Sequence, residues 1–346
     1  MKPHTPLLLL FVSITLPQFC LAQDIHFTQF EKNSALVAPA TTGLLGGNGY
    51  QNAYQRAALS YRQQWQSVPV PYSSALFSLE RLYENKKIFG KKGSFGAGVA
   101  ALFDRASDGN LSTYQLQTTA AYHYQIQKNT YISASLQAGA AQRSVETQKL
   151  TTNNQFNGDI YDANLPNADP LFAATKPIFY ADFGTSVSLQ HITNTVRWQF
   201  SAAVFHLNEP YTAFAQTSQT RLSRRYTASI VASFPIIKNI DIQPLILFQR
   251  QAKYQEIVAG AQINYHLKND VFNKIDLTAG SRYRLGDALM PTVGLRYNQW
   301  LVGLSYDVNT SAFRAATNRD GGFELSVQHL WFRVPKLRNV RACPVF

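Results

Sequence analysis

The run Tyr114–Ile126, YQLQTTAAYHYQI, sets the period of this chain. Tyr114, Leu116, Thr118, Ala120, Tyr122, Tyr124 and Ile126 fall on one face of an extended backbone. Gln115, Gln117, Thr119, Ala121, His123 and Gln125 fall on the other, because successive strand side chains point to opposite faces. One face is apolar and tyrosine-tipped, and the other suits water. A strand of a soluble sandwich has the same look, so the weight rests on recurrence.

The alternation returns at about Ala57–Trp65, Tyr72–Tyr83, Phe95–Asp104, Tyr131–Ala141, Phe179–Gln190, Val196–Leu207, Arg225–Phe234 and Ile240–Gln249. It continues at Glu256–His266, Ile275–Arg284, Leu289–Tyr297, Leu301–Val308 and Phe323–Phe332. With the first run these make 14 strands, an even number that closes an antiparallel barrel. An open sheet of that size leaves two long edges. Only 15% of residues are charged, against about 25% in an ordinary globular domain, and 13% are aromatic. No apolar run of about 18 residues follows the N-terminus, which excludes a helical membrane protein. The expected fold is all-β: a 14-stranded antiparallel transmembrane β-barrel with an N-terminal segment partly plugging the lumen. Trp65, Trp198, Trp300 and Trp331, with Tyr122, Tyr124 and Tyr226, lie near strand ends, where an aromatic girdle belongs. The competing reading makes them core aromatics of a soluble β-protein.

The ends divide the chain further. Lys2 and His4 precede the apolar run Pro6–Leu16, and Cys20-Leu21-Ala22 offers a cleavage site, so residues 1–22 read as a secretory signal peptide. Phe19 disfavours a lipid on Cys20. Removal of the signal leaves Cys343 alone, without a disulfide partner. Residues 23–54 alternate poorly, contain Gly43, Gly46, Gly47 and Gly49, and read as a segment folded against or inside the barrel (a plug, or a periplasmic piece). Residues 55–332 form the barrel and 333–346 a C-terminal tail. If both termini are periplasmic, connections after odd-numbered strands face outward and are the long ones. The longest breaks, Arg143–Lys176, Asn208–Thr220 and Asn309–Gly321, follow strands five, seven and thirteen. Gln127–Thr130 and Pro235–Asn239 are short breaks on the other side.

The formal charge of +12 is scattered along the chain, and no stripe of aromatics and arginines tracks a nucleic acid. Anionic lipid headgroups or an acidic protein partner suit it better. No catalytic motif, nucleotide loop or cofactor motif is present, so the expectation is a protein that is not an enzyme and carries no cofactor. His123, His206 and His329 are the histidines a barrel phospholipase or protease would need to use, but each lies alone in a strand. Asp159, Asp162 and Asp169 sit in an asparagine-rich loop without EF-hand spacing, which reads as turn chemistry before calcium binding. Arg282, Arg284 and Asp287 suit a charged lumen network.

Several motifs together resemble one family. Gln23-Asp24-Ile25-His26-Phe27-Thr28-Gln29-Phe30 and Tyr61-Arg62-x-Gln64-Trp65 open the resemblance. Val204-Phe205-His206-Leu207-Asn208-Glu209-Pro210, Arg224-Arg225-Tyr226 and Tyr283-Arg284…Asp287-Ala288 continue it. Tyr306-Asp307-Val308-Asn309-Thr310-Ser311, Gly321-Gly322-Phe323-Glu324-Leu325-Ser326 and Cys343-Pro344-x-Phe346 complete it. The chain thus resembles the PorP/SprF family, outer-membrane proteins of the type IX secretion and gliding machinery. It departs at Pro39-Ala40-Thr41-Thr42-Gly43, where the family's asparagine before the proline is missing, and in the individual 143–176 loop.

The resemblance implies an outer-membrane partner of type IX secretion that binds, shuttles or anchors the C-terminal sorting domain of a large secreted adhesin. The alternatives are a core PorP-like subunit contacting periplasmic and translocon components, or a passive diffusion porin. Partner-binding candidates taken from the signature are His206, Leu207, Asn208, Pro210, Asp307, Asn309 and Ser311. Arg314 and Arg319, in the loop after Asn309, are expected to pair with an acidic partner.

Overall fold

In the computed structural model, 14 strands close into one antiparallel barrel in chain order. They are β1 (Ala53–Gln64), β2 (Tyr72–Tyr83), β3 (Gly93–Ala106), β4 (Leu111–Gln127), β5 (Thr130–Ser144), β6 (Ile178–Ile192) and β7 (Arg197–Phe205). The second half comprises β8 (Arg225–Ile237), β9 (Ile240–Gln251), β10 (Tyr254–Asn269), β11 (Lys274–Arg284), β12 (Ala288–Tyr297), β13 (Trp300–Asn309) and β14 (Asp320–Phe332). The structure describes residues 24–45, 53–65, 71–106, 111–146, 153–162, 164–165, 176–193, 195–214, 220–270, 273–311 and 320–333. Residues 1–22, read above as a signal peptide, and the tail beyond Arg333 lie outside the described residues.

The period of two decides which side chains meet which solvent. On β4 the tyrosine-tipped set is outside, with Leu116 55% exposed, while Gln117, Thr119 and His123 are buried within. Apolar-out and polar-in is the arrangement of a lipid-facing barrel. Outward Tyr83, Tyr122, Tyr124, Tyr265, Tyr297 and Trp300 ring one end, and Tyr61, Tyr114, Tyr226, Tyr254, Tyr283 and Tyr306 the other. Aromatics with one polar atom suit both membrane interfaces. No helix among the described residues is long and apolar enough to cross a membrane.

The two ends differ in their connections. At one, Asn129, Asn239 and Asn298 take positive φ (63°, 67° and 54°) in hairpins of two residues. Such turns demand left-handed backbone, which asparagine tolerates. At the other end run the long connections β5–β6, β7–β8 and β13–β14. Strands extend further toward the rims than the alternation suggested. β1 begins at Ala53, two residues before the expected boundary, and β8 continues through Pro235, which pairs with Asp241. A short helix, Lys86–Phe89, capped by the Asn85 side chain, fills the β2–β3 connection and carried no periodic signal.

Residues 24–45 run inside the barrel. Phe27, Phe30, Ala35, Leu36 and Val37 pack with inward Leu76, Leu245, Leu247 and Met290 from β2, β9 and β12. Asp24 meets the ends of β8 and β9 at the long-connection mouth, while Thr42 and Gly43 meet β2 and β4 near the short-turn end. The segment therefore traverses the lumen and β1 starts back from the opposite end. Strand ends Ala53 and Phe332 share the short-turn end, but Asp24 does not.

Candidate functional site in the barrel lumen

Closing the barrel places β1 against β14, and their register sets Arg62 opposite Glu324. Both side chains point inward and are buried, as is Asp307 of β13. Arg62 donates from Nη2 to Asp307 Oδ2 at 2.6 Å and from Nη1 to Thr28 Oγ1 at 2.5 Å, with Glu324 Oε2 at 3.3 Å. The segment completes the cluster: Thr28 and Gln29 backbone N–H groups donate to the two Glu324 oxygens at 2.6 and 2.9 Å. Thr28 Oγ1 donates to Asp307 Oδ1 at 2.7 Å. A lone buried charge is prohibitively costly, so these charges exist there because each has a hydrogen-bonded counterpart. Arg284 extends the network to Asp287 at 3.0 Å, Asp307 at 3.4 Å and Glu256 at 3.6 Å, and Arg282 holds Glu31 at 2.6 Å.

A second cluster fastens the tip of the segment at the long-connection mouth. His206 lies directly beyond β7 with φ 55°, which turns the chain and aims its ring inward. Its Nε2 donates to Asp24 Oδ2 at 2.5 Å and its Nδ1 to Asp182 Oδ1 at 2.8 Å. Arg225 Nε stands 3.0 Å from Asp24, and Gln251 exchanges two hydrogen bonds with it. Burial opposes a charge on His206, but Asp24 and Asp182 outweigh it and raise the imidazole to about 9. Burial likewise resists the Asp24 charge, yet His206 and Arg225 hold its carboxyl below the ordinary carboxylate range.

Beyond Lys32 the contacts change. Ala40 N donates to Ser186 Oγ at 2.5 Å, Gln137 Nε2 to the Ala35 carbonyl at 2.9 Å and Thr227 Oγ1 to the Val37 carbonyl at 2.9 Å. His123 Nε2 donates to the Thr42 carbonyl at 2.9 Å and accepts at Nδ1 from Ser133. Gly43 takes φ +82° and its N–H donates to Glu80. Gly96 permits the closest approach, since a methyl there would lie 1.9 Å from the Thr42 carbonyl oxygen. Cavities of about 650 Å³ and 170 Å³ border the outer and inner parts of the segment.

The sequence candidates separate into distinct groups. His206, Asp307, Asn309 and Pro210, named above as partner-binding candidates, are buried. Inward parity commits Asp307 and Asn309, and the turn at His206 commits its ring, to the barrel interior. Leu207 and Asn208 are exposed, with Leu207 N donating to the Phe183 carbonyl at 2.9 Å and Asn208 Nδ2 to the Ala181 carbonyl at 2.7 Å. Ser311 is half-buried and its N–H donates to the Asp287 carbonyl. Arg314 and Arg319 lie outside the described residues. Asn157 and Asp162 cap turns in the loop with their own carboxamide and carboxylate oxygens, while Asp169 lies outside the described residues. The sequence did not mark Thr28, Arg62 and Glu324 as one cluster, nor Asp24 and Asp182 as partners of His206, although each strand member is a polar residue on the inward parity.

A family model described as type IX secretion system membrane protein PorP/SprF matches residues 20–329. No curated protein matches the chain. Among solved structures, the Ralstonia pickettii toluene transporter TbuX is similar at 11% identity, over 87% of this chain and 94% of its own, with a TM-score of 0.48. A mutant of the TodX monoaromatic hydrocarbon channel is similar at 9%, over 87% and 94%, with a TM-score of 0.49. The KdgM porin is similar at 8%, over 80% and 99%, with a TM-score of 0.36.

Proposed function

Because this chain belongs to the PorP/SprF family of type IX secretion system membrane proteins, we propose that it works as a filled barrel in a Gram-negative outer membrane. There it binds the C-terminal sorting domain of a large secreted adhesin through its long connections. The observation that carries this reading is the lumen, occupied by the chain's own residues 24–45 and fastened by buried charge. A lumen held in this way suits a scaffold better than a conduit, and loops on a rigid barrel are a usual place for recognition. The proposed role requires no catalysis, and its histidines serve the barrel: both ring nitrogens of His123 and of His206 hold the segment and wall, and His329 lies between Trp300 and Trp331.

Affinity purification from the native outer membrane, with mass spectrometry, tests it. Recovery of one large surface protein with a C-terminal sorting domain is expected, and recovery of no partner would sink the binding role. A second reading, a core subunit contacting periplasmic components, is favoured by the exposed Lys86, Lys87, Lys91 and Lys92 around Ile88 at the short-turn end, Ile88 being 70% exposed. Periplasmic components alone in the purification would support it. The porin reading is separated by planar-bilayer recording. The intact protein is expected to conduct little, and deletion of residues 25–52 is expected to raise conductance. Large, stable conductance by the intact barrel would favour the porin.

A further inference from the structure

The barrel wall has one place where the backbone ladder stops short on a long strand. β5 pairs with β6 from Ile178 to His191, whereas β7 pairs with β6 only from Thr185 to Ile192. β7 ends at Phe205 because His206 takes φ 55° and its side chain turns inward to Asp182 and Asp24. Ile178–Gly184 is thereby left, among the described residues, without a strand on that side.

Two contacts reveal which backbone groups face the gap. Leu207 N donates to the Phe183 carbonyl and Asn208 Nδ2 to the Ala181 carbonyl. In an antiparallel strand the N–H and C=O of one residue point to the same side, and residues two apart repeat it at about 6.8 Å. Phe179, Ala181 and Phe183 therefore present their amides to the gap, while Ile178, Tyr180, Asp182 and Gly184 serve the β5 ladder. Asn208 already imitates one rung of a missing strand with a side-chain amide.

An open edge of alternating N–H and C=O groups fits a polypeptide strand and no small solute. The surroundings specify the strand further. Lys176 precedes the edge, Arg143 stands opposite Ile178 on β5, and Arg224 Nε donates to the Leu207 carbonyl beside the gap, with Arg221 three positions before it and Glu209 3.7 Å from Arg224. Phe179 (73% exposed) and Phe183 add apolar surface beside the edge. We infer that Ile178–Gly184 receives an extended, acid-bearing segment of the secreted partner as an added strand. This rests on the binding role proposed above and names the contact through which it acts.

Proline substitution tests the edge selectively, because Ala181→Pro removes an N–H on the open side and spares the β5 ladder. The barrel tolerates this arrangement elsewhere: Pro291 lies in β12 where the β13 ladder skips Met290 and Pro291 while β11 pairing continues. The probe is the adhesin C-terminal domain recovered in the purification above, expressed alone and titrated onto detergent-solubilised barrel. Ala181→Pro is expected to weaken binding roughly tenfold while keeping heat-modifiable migration, since one to two backbone hydrogen bonds are lost. Arg221→Glu with Arg224→Glu is expected to weaken it several-fold at low salt and less at high salt. Hydrogen exchange on the unmutated complex gives a reading free of folding defects, with the Phe179 and Ala181 amides expected to slow. Unchanged affinity of folded Ala181→Pro, or unprotected amides, overturns the edge and leaves the binding role standing. A domain that does not bind the unmutated barrel overturns both. Edge protection that instead follows barrel dimerisation assigns the edge to a second copy and overturns the inference.

Discussion

Residues 24–32 and 33–45 share one lumen but are held by different physics. The first stretch carries Asp24, His26, Glu31 and Lys32, while the second carries no charged side chain. Near the long-connection mouth the segment is fastened by buried ion pairs whose strength depends on protonation. Toward the short-turn end the segment carries no charge of its own and is fastened by apolar packing, close backbone fit and hydrogen bonds from the wall, including Gly43 N–H to Glu80 of the Arg56–Glu80 pair. One part of the segment is therefore sensitive to pH, and the other to shape.

Removing Arg62 should break this contrast most severely. Arg62→Met leaves Glu324 and Asp307 buried without their shared cation, at a cost of about 3–5 kcal/mol. The urea midpoint of unfolding measures it, and adding Glu324→Gln and Asp307→Asn should recover much of the loss. A change below about 1 kcal/mol would show that the charged part is not what fastens the segment.

A shape change in the second stretch comes next. Gly96→Ala places a methyl 1.9 Å from the Thr42 carbonyl oxygen, and displacing that backbone should cost about 1–3 kcal/mol. Protease cleavage between residues 34 and 45 should rise in the variant. Unchanged cleavage would contradict the close backbone fit assigned to this part.

The pH response should be smaller and confined to the tip. His206 is raised from 6.5 to about 9 in the folded protein, so its contribution is complete below 6.5 and fades as pH rises through 9. Labelling of a cysteine placed at Ile25, divided by the free-thiol rate at each pH, should accelerate between those values, whereas one placed at Val37 should not respond. A flat profile at residue 25, or one unchanged by His206→Gln, would remove His206 from the fastening. The smallest effect belongs to Thr227→Val, which strips one hydrogen bond from the Val37 carbonyl and should cost about 1 kcal/mol. A loss indistinguishable from zero would mean the bond contributes nothing of its own.

The wall was readable because alternation is local: Tyr114–Ile126 carries its two faces in thirteen consecutive letters. The interior was not, because its partners meet only through closure. Arg62 and Glu324 are 262 positions apart, and nothing near either reveals the other until β1 pairs with β14. Their inward parity was visible, and a buried charge on that parity asks for a counterion. The path of residues 24–45 was hidden because its short turns and 3-10 helices follow neither period. The burial of His206, a partner-binding candidate from the signature, was not legible because the positive φ that turns its ring inward has no signature in the letters.

The traversing segment also dictates an order of assembly. A chain whose residue 24 sits at one mouth and whose first strand begins at the other cannot close its wall first and then fill it cheaply, since the Arg62, Asp307 and Glu324 charges would have to be buried without Thr28 and Gln29 until the segment threaded past them. The β1–β14 pairing joins Gln55 to Trp331 and has the largest sequence separation in the wall. Contacts of such separation form late. Closure last, around a segment already laid across the growing sheet, makes the finished barrel a trap, in which the segment's lifetime is governed by the opening rate of that one hairpin-free junction.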